Sequence, residues 1–164
     1  MPTTINADGP VPAVITVAYV NAVLAQLDQI YGDATRLLVS TRALSPVVAA
    51  DLRATFNDPA FGAAVNTFIE LASKPFHNFR PNFGNRQTTV LQLITDTNVC
   101  IFAQIETDYS NVDVTTVPDA GTEFLTLRPK QAGADPIFLN KTPWAISNDV
   151  SYQTHTEEAD QCSS

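Results

Sequence analysis

The hydrophobic pattern of this chain changes once, between Lys74 and Thr88, and this change restricts the fold more than any other feature. Before it, apolar residues recur three or four positions apart, as they do on one face of a helix. After it, a two-residue period appears, most clearly where Val99, Ile101, Ala103 and Ile105 alternate with Cys100, Phe102 and Gln104, as side chains do along a strand. Because helices precede strands, a regular βαβ fold is excluded, and we expect an α+β domain.

Two to three helices are expected in the first half. Thr16 is a suitable N-cap for the first helix, because its hydroxyl can accept a hydrogen bond from a backbone N–H of the first turn. The polar face of this helix contains Asp28, Gln29, Asp33 and Arg36. Its inward face is formed by apolar residues at helical spacing: Tyr19 or Val20, Val23, Leu24, Leu27, Ile30, Tyr31, Ala34, Leu37 and Leu38.

Proline positions indicate where the other helices begin. Ser45 and Asp58 can both cap a helix, and each precedes a proline, which suits the first helical turn. We therefore expect a second helix at about 46–56 and a third at about 59–73. The inward residues of the third helix are expected to be Phe61, Val65, Phe68, Ile69 and Ala72.

Four strands are predicted after the change in pattern: 88–95, 99–105, 122–128 and 143–149. The first two would pair as a hairpin through a turn at residues 96–98, and a meander is the simplest order for all four. Residues 108–120 fit either an edge strand or a broken loop. The sequence therefore predicts two to three N-terminal helices packed on a curved antiparallel sheet of four to five strands.

The length of 164 residues, 45% of them hydrophobic, is enough for one domain with its own core. Residues 1–12 are polar and carry prolines and a glycine, so they are expected to form a flexible lead. The single α+β domain would cover residues 13–150, and residues 151–164 would form a polar C-terminal tail.

The charge of the chain excludes some classes of partner. The formal net charge is −8, and all of the excess lies in residues 87–164, which contain eleven Asp and Glu against three Lys and Arg. Binding to a phosphate backbone depends on Lys and Arg, so nucleic acid is not expected as a partner. No run approaches the roughly eighteen consecutive apolar residues of a spanning helix, so an integral membrane protein is not expected either.

Composition also bears on the compartment. Only 16% of the residues are charged, and the polar lead resembles the start of a mature exported bacterial protein. Secretion or a cell-envelope location is therefore expected, with the cytoplasm as the alternative. Cys100 and Cys162 could form a disulfide in an oxidising compartment. The simpler expectation is a buried free Cys100 and an exposed Cys162.

Most motifs of catalysis are missing from the sequence. There is no Gly-x-Ser-x-Gly elbow, no phosphate-binding loop and no dinucleotide fingerprint, so no cofactor is expected. His77 and His155 are far apart and lie at no metal-binding spacing, so no metal is expected. The cluster of Asp108, Asn111 and Asp113 has the oxygen ligands that calcium prefers but lacks the spacing of an EF-hand, so a solvated turn is expected.

The segment from Pro75 to Arg86 has the most unusual composition, because it interleaves aromatic and basic residues and contains no acid. It suggests a mobile flap that clamps an apolar or anionic ligand, since arginine recognises carboxylates and phenyl rings supply apolar contact. The alternative is a plug of phenylalanines that closes one end of the core. Including one carboxylate outside the segment, the candidate ligand-binding residues are Phe76, His77, Phe79, Arg80, Phe83, Arg86 and Glu106.

An enzyme is the alternative to a binding domain. Acid–base chemistry on a small hydrophobic substrate needs an imidazole, carboxylate or phenol in an apolar pocket, where its pKa can shift. The candidates are His77, Asp96, Glu106 and Tyr109. None of them forms a recognisable catalytic pair, so no catalytic residue is assigned.

The order of elements, together with a late strand that contains Pro143, Trp144, Ile146 and Asp149, resembles the cone-shaped NTF2-like fold over roughly residues 14–150. The resemblance implies helices packed on a bent antiparallel sheet, and a group that includes both pocket enzymes and non-catalytic binding or scaffold domains. We expect a non-catalytic binding or assembly domain for a partner protein or a small apolar ligand. Homodimerisation through the exposed face of the sheet is also expected.

Overall fold

The structure of the chain, a computed structural model, describes residues 5–73, 79–112, 123–151 and Cys162. Three helices, α1 (Val17–Thr41), α2 (Pro46–Thr55) and α3 (Ala60–Ser73), precede four strands: β1 (Gln87–Asp96), β2 (Ile101–Asp108), β3 (Glu123–Pro129) and β4 (Trp144–Ser151). All neighbouring strands are antiparallel, and their order in the sheet is β1-β2-β3-β4 without closure. The expected α+β class, the hairpin and the meander are confirmed.

Helix α1 is the longest helix and contributes many residues to the hydrophobic core. The Thr16 hydroxyl accepts from the backbone N–H of Tyr19 at 3.1 Å, which confirms the predicted N-cap. The helix ends at Thr41, and the C-cap residue Arg42 has a left-handed backbone with a φ of 54°. The predicted inward face is largely buried, but Asp28, predicted on the solvent face, is only 5% exposed. That prediction was wrong because a strand edge lies against this side of the helix.

Helices α2 and α3 begin close to the predicted residues. Ser45 caps α2 by accepting from the N–H of Val48 at 3.3 Å, and a proline occupies the first turn. In α3, Phe68 is fully buried, whereas Ile69, predicted to point inward, is 51% exposed. Phe61 packs against the core only in part. Because α3 reaches the core along a narrow strip, a residue next to Phe68 is turned away by a helical step of about 100°.

The core lies between the helices and one face of the sheet. Ile101, Ala103 and Ile105 of β2 alternate onto this face and are at most 1% exposed. Trp144 at the start of β4 is fully buried, and its Nε1–H donates to the Tyr19 hydroxyl at 3.0 Å. This bond satisfies the polar atom of a buried indole and ties the last strand to the first helix.

A disulfide joins Cys100, before β2, to Cys162 near the C-terminus. The expectation of a free buried Cys100 and an unpaired Cys162 was therefore wrong. Burial of Cys100 was expected, and it is 3% exposed. A sequence separation of 62 residues gives no local signal of such pairing.

The turn after β2 is described as far as Val112. The Asp108 carboxylate accepts from the N–H of Ser110 at 2.8 Å, which is a local turn interaction, and Asp113 lies outside the described residues. Within the residues that the structure describes, no three His, Cys, Asp or Glu side chains are grouped as metal ligands would be. None of the described helices combines the length and apolar character needed to cross a membrane.

Candidate functional site

A cavity of about 290 Å³ opens between α1, α3, residues 79–86 and the turn after β2. We call it the aromatic pocket. Most of its surface is carbon, and four of its residues carry aromatic rings. Its lining residues are Tyr31, Gly32, Thr35, Thr67, Leu71, Phe79, Phe83, Gly84, Arg86, Tyr109 and Val112.

Residues 79–86 form one wall of the pocket and are bound to their neighbours. The N–H of Arg80 donates to the Val112 carbonyl at 2.9 Å, and the Arg80 Nε–H donates to the Ser110 carbonyl at 2.7 Å. On the other side, Arg36 of α1 donates to the Asn85 side-chain oxygen at 2.8 Å. The described part of this segment is thus a wall that is hydrogen bonded to the turn after β2 on one side and to α1 on the other.

Gly32 permits the close approach of this wall to α1. A Cβ at this position would lie 2.8 Å from Asn85 Cγ and closer still to its Oδ1. The Asn85 amide is also held by Gln29, whose side-chain oxygen accepts from it at 2.9 Å. Asn85 therefore could not move aside without breaking bonds, so a helical glycine is needed at the floor of the pocket.

Phe79 and Phe83 stack with ring centroids 4.7 Å apart, and both are partly buried. Neither belongs to the hydrophobic core, which lies deeper and includes Phe68. The plug interpretation is therefore wrong for these two rings, because they line a cavity instead of filling the core. Phe76 and His77 lie outside the described residues.

A buried ion pair adjoins the pocket through Arg86, and we call this part of the lining the polar end. Arg86 Nε lies 3.0 Å from Asp28 Oδ1, and the two side chains are 11% and 7% exposed. The Asp28 carboxylate also accepts from the N–H of Thr88 at 2.8 Å and from the Thr88 hydroxyl at 3.0 Å. Burial raises the pKa of Asp28, while Arg86 and Thr88 act in the opposite direction. Asp28 thus satisfies a backbone donor at the edge of β1 and fixes Arg86.

Arg86 also contacts two phenol rings of the pocket. Its Cζ lies 3.9 Å from the ring centroid of Tyr31, a cation–π geometry. It also hydrogen bonds to the Tyr109 hydroxyl, which can only accept from a guanidinium. Burial raises the pKa of Tyr109, and Arg86 opposes this shift, so Tyr109 is a protonated phenol at neutral pH.

The structure brings together Phe79, Phe83 and Arg86 of the predicted candidates, with Tyr109 from the enzyme alternative. Arg80 does not line the pocket but binds the neighbouring turn. Two carboxylates also lie outside it. Glu106 is exposed on β2, opposite Thr89, and Asp96 is exposed at the end of β1.

Several pocket residues were missed by sequence reasoning. Tyr31 and Thr35 of α1 and Thr67 and Leu71 of α3 line the cavity. Each pair is spaced four residues apart, which shows a shared helical face but not which partner that face meets. Asp28 was predicted on the solvent face of α1. Its three-residue spacing from Tyr31, which places the two side chains close together on the helix, was the one signal in the sequence that it lies near the pocket.

Comparison of the chain with models of protein families, with curated proteins and with solved structures finds no match. The chemistry of the aromatic pocket therefore carries the functional interpretation. The pocket combines an apolar cavity, a buried ion pair and the phenol of Tyr109, which accepts from the arginine of that pair.

Proposed function

We propose that this domain binds a compact, largely apolar small molecule in the aromatic pocket. The observation that carries the proposal is the pocket itself: a largely carbon-lined cavity of about 290 Å³ that also reaches Arg86 and Tyr109. Small-molecule sites commonly combine an apolar lining with few orienting polar groups. The fixed wall at residues 79–86 supports a pocket that exists before the ligand arrives.

The volume limits the size of the ligand. At about 30 Å³ per water molecule, the cavity holds roughly ten water volumes. A single substituted ring of about ten non-hydrogen atoms fits this space. Tyr31, Phe79 and Phe83 would contact the faces and edges of such a ring.

A binding role is better supported than catalysis. The carboxylates of Asp96 and Glu106 lie outside the pocket, and His77 lies outside the described residues. Among the candidates in the described residues, Tyr109 is the one that lines the pocket. A phenol whose pKa is raised by burial keeps its proton at neutral pH and is a poor general base.

We also propose an NTF2-like fold and an exported location. Three helices followed by an antiparallel meander are compatible with an NTF2-like fold. The Cys100–Cys162 disulfide supports export, because disulfides persist mainly in oxidising compartments. Thiol alkylation of protein isolated without reductant tests the disulfide: labelling of either cysteine would contradict it and remove this support for export.

Assembly is the second candidate role. Leu91, Ile94 and Val99 of the first hairpin are 51%, 45% and 58% exposed, which favours contact with another apolar surface, such as a second copy of the chain. Sedimentation velocity tests this proposal. A monomer at micromolar concentrations would contradict a stable homodimer.

Filling the pocket tests the proposed binding. Thr67 lies on the outer side of α3 and lines the cavity, so Thr67→Phe would place a ring inside it. Asn66 is exposed beside it without lining the cavity, so Asn66→Phe is the matched control. We expect acetophenone to bind the unmodified protein with a Kd of about 1 mM or tighter, equivalent to about −4.1 kcal/mol.

Thr67→Phe should weaken this binding at least about tenfold, which corresponds to about 1.4 kcal/mol, and Asn66→Phe should leave it unchanged. NMR titration of the three proteins gives the affinities. Equal affinities for Thr67→Phe and the unmodified protein would contradict the proposal.

A further inference from the structure

We infer that the ligand of the aromatic pocket is a neutral molecule that accepts a hydrogen bond from the Tyr109 hydroxyl. This inference rests on the proposed binding function. It replaces the broader expectation of an apolar or anionic ligand with one chemical class: a ring that carries a carbonyl or a similar neutral acceptor.

The charge balance at the polar end argues against an anion. Arg86 is the only charged side chain among the described residues that line the pocket, and it already pairs with Asp28 at 3.0 Å. The two charges are opposite, so the pair is close to electrically neutral as a unit. Both side chains are also largely buried. A ligand carboxylate would add a second anion beside one cation in a poorly solvated site, where an uncompensated charge is costly.

A second carboxylate makes an anion still less favourable. Glu123 lies close enough to Tyr109 to raise its pKa by charge repulsion. Glu123 also belongs to the half of the chain that carries all of the excess negative charge. An anionic ligand beside Tyr109 would experience the same repulsion, whereas a neutral ligand would not.

The hydrogen-bond donors of the pocket identify the contact. The Thr35 hydroxyl donates to the Tyr31 carbonyl at 2.8 Å, and the Thr67 hydroxyl donates to the Ala63 carbonyl at 3.1 Å. Both hydroxyl protons are therefore used within their own helices. The Tyr31 and Tyr109 hydroxyls differ, because no hydrogen bond among the described residues uses either proton, and of these two phenols Tyr109 is the one whose oxygen accepts from Arg86.

Arg86 strengthens the donor that it holds. A cation that donates to the phenol oxygen polarises the O–H group, so the next hydrogen bond in the chain becomes stronger. Asp28, Arg86 and Tyr109 then act in series: the carboxylate fixes the guanidinium, and the guanidinium orients the phenol. A carbonyl oxygen in the pocket would complete this series without adding charge.

Two probes of equal size test the inference. Acetophenone and benzoate each have nine non-hydrogen atoms and differ chiefly in charge. At pH 7.5 we expect the protein to bind acetophenone at least tenfold more tightly than benzoate. Asp28→Asn should narrow or invert this preference, because Arg86 then lacks its partner anion. Asp33→Asn, which changes an exposed carboxylate on the same helix, should keep the preference.

Tyr109→Phe provides a second test that leaves the ion pair intact. Loss of the hydroxyl should weaken acetophenone binding about tenfold and leave ethylbenzene, which has no acceptor, unchanged. NMR titration of each variant gives the affinities and also shows whether it is folded. If Asp28→Asn does not fold, the inference is still tested by the acetophenone and benzoate affinities of the unmodified protein and by the acetophenone affinity of Tyr109→Phe.

The outcomes separate this inference from the function on which it rests. Benzoate binding that equals or exceeds acetophenone binding would overturn the inference and leave a binding pocket in place. An unchanged preference in folded Asp28→Asn, or unchanged acetophenone binding in Tyr109→Phe, would also overturn it. If none of the three probes binds at saturating concentrations, the proposed function fails.

Discussion

Replacement of Arg86 by leucine is expected to lower the free energy of unfolding at pH 7 by about 3–5 kcal/mol, the range for breaking a buried ion pair from one side. The leucine would leave the Asp28 carboxylate buried without its cation, because the two side chains are 7% and 11% exposed. Arg53→Leu is a suitable control. Arg53 pairs with Asp58 at the surface, where such pairs contribute about 0–1 kcal/mol.

The deficit of Arg86→Leu should depend on pH. Burial raises the pKa of Asp28, and loss of Arg86 removes an interaction that lowers it, so the folded-state pKa rises further above the unfolded value. A carboxyl with the higher pKa in the folded state binds more protons when folded, so its folding is favoured as the pH falls. The deficit should therefore shrink from pH 7 toward mildly acidic pH.

Urea unfolding of both arginine variants across this pH range measures the effect. Equal losses for Arg86→Leu and Arg53→Leu at pH 7 would contradict a buried ion pair at the pocket. A deficit that grows on acidification would contradict the stated direction of the Asp28 pKa.

Two phenylalanines distinguish the core from the pocket wall. Phe68 is fully buried in the core, so Phe68→Ala is expected to cost about 3–5 kcal/mol. Phe83 is partly buried and lines the cavity, so Phe83→Ala removes only part of a burial term of about 1.5–3 kcal/mol and should cost about 1–2 kcal/mol.

The Phe83→Ala variant also provides a test of binding. Phe83→Ala should lose acetophenone affinity although it stays folded, because the ring is a wall of the pocket. Urea melts give the two stabilities, and NMR titration of Phe83→Ala gives the affinity. A loss of 3 kcal/mol or more in Phe83→Ala would restore the interpretation of this ring as a core plug.

Much of the fold was predictable because its signals are local. The Thr16 and Ser45 caps form between residues three apart, and the apolar spacing of α1 follows from its own geometry. The two-residue period in β2 likewise identified the strand and placed Ile101, Ala103 and Ile105 together on the face that meets the helices. Ile69 was wrong because the width of a buried helical strip depends on what packs against the helix.

One physical reason explains why the burial of Asp28 was missed and why the disulfide was only the less expected alternative. Asp28 is buried because a backbone donor of β1 needs an acceptor 60 residues away in sequence. The bond between Cys100 and Cys162 closes a separation of 62 residues. Helical periodicity reports polarity around one helix, and it carries no information about such distant partners.

The candidate site was predictable in part. The composition of residues 75–86 pointed to Phe79, Phe83 and Arg86, because an acid-free aromatic and basic segment is unusual. The opposite walls on α1 and α3 could not be predicted, because ordinary helix residues become pocket residues only through packing. Glu106 shared a strand face with Phe102, but that face points away from the helices and the pocket.

A crystal structure with acetophenone most directly tests the claim that the aromatic pocket is a ligand site. The account predicts the ring between Leu71 and the Phe79–Phe83 stack, with its carbonyl oxygen within about 3.0 Å of the Tyr109 hydroxyl. Electron density for acetophenone at another surface, with the aromatic pocket empty at saturating concentration, would contradict it.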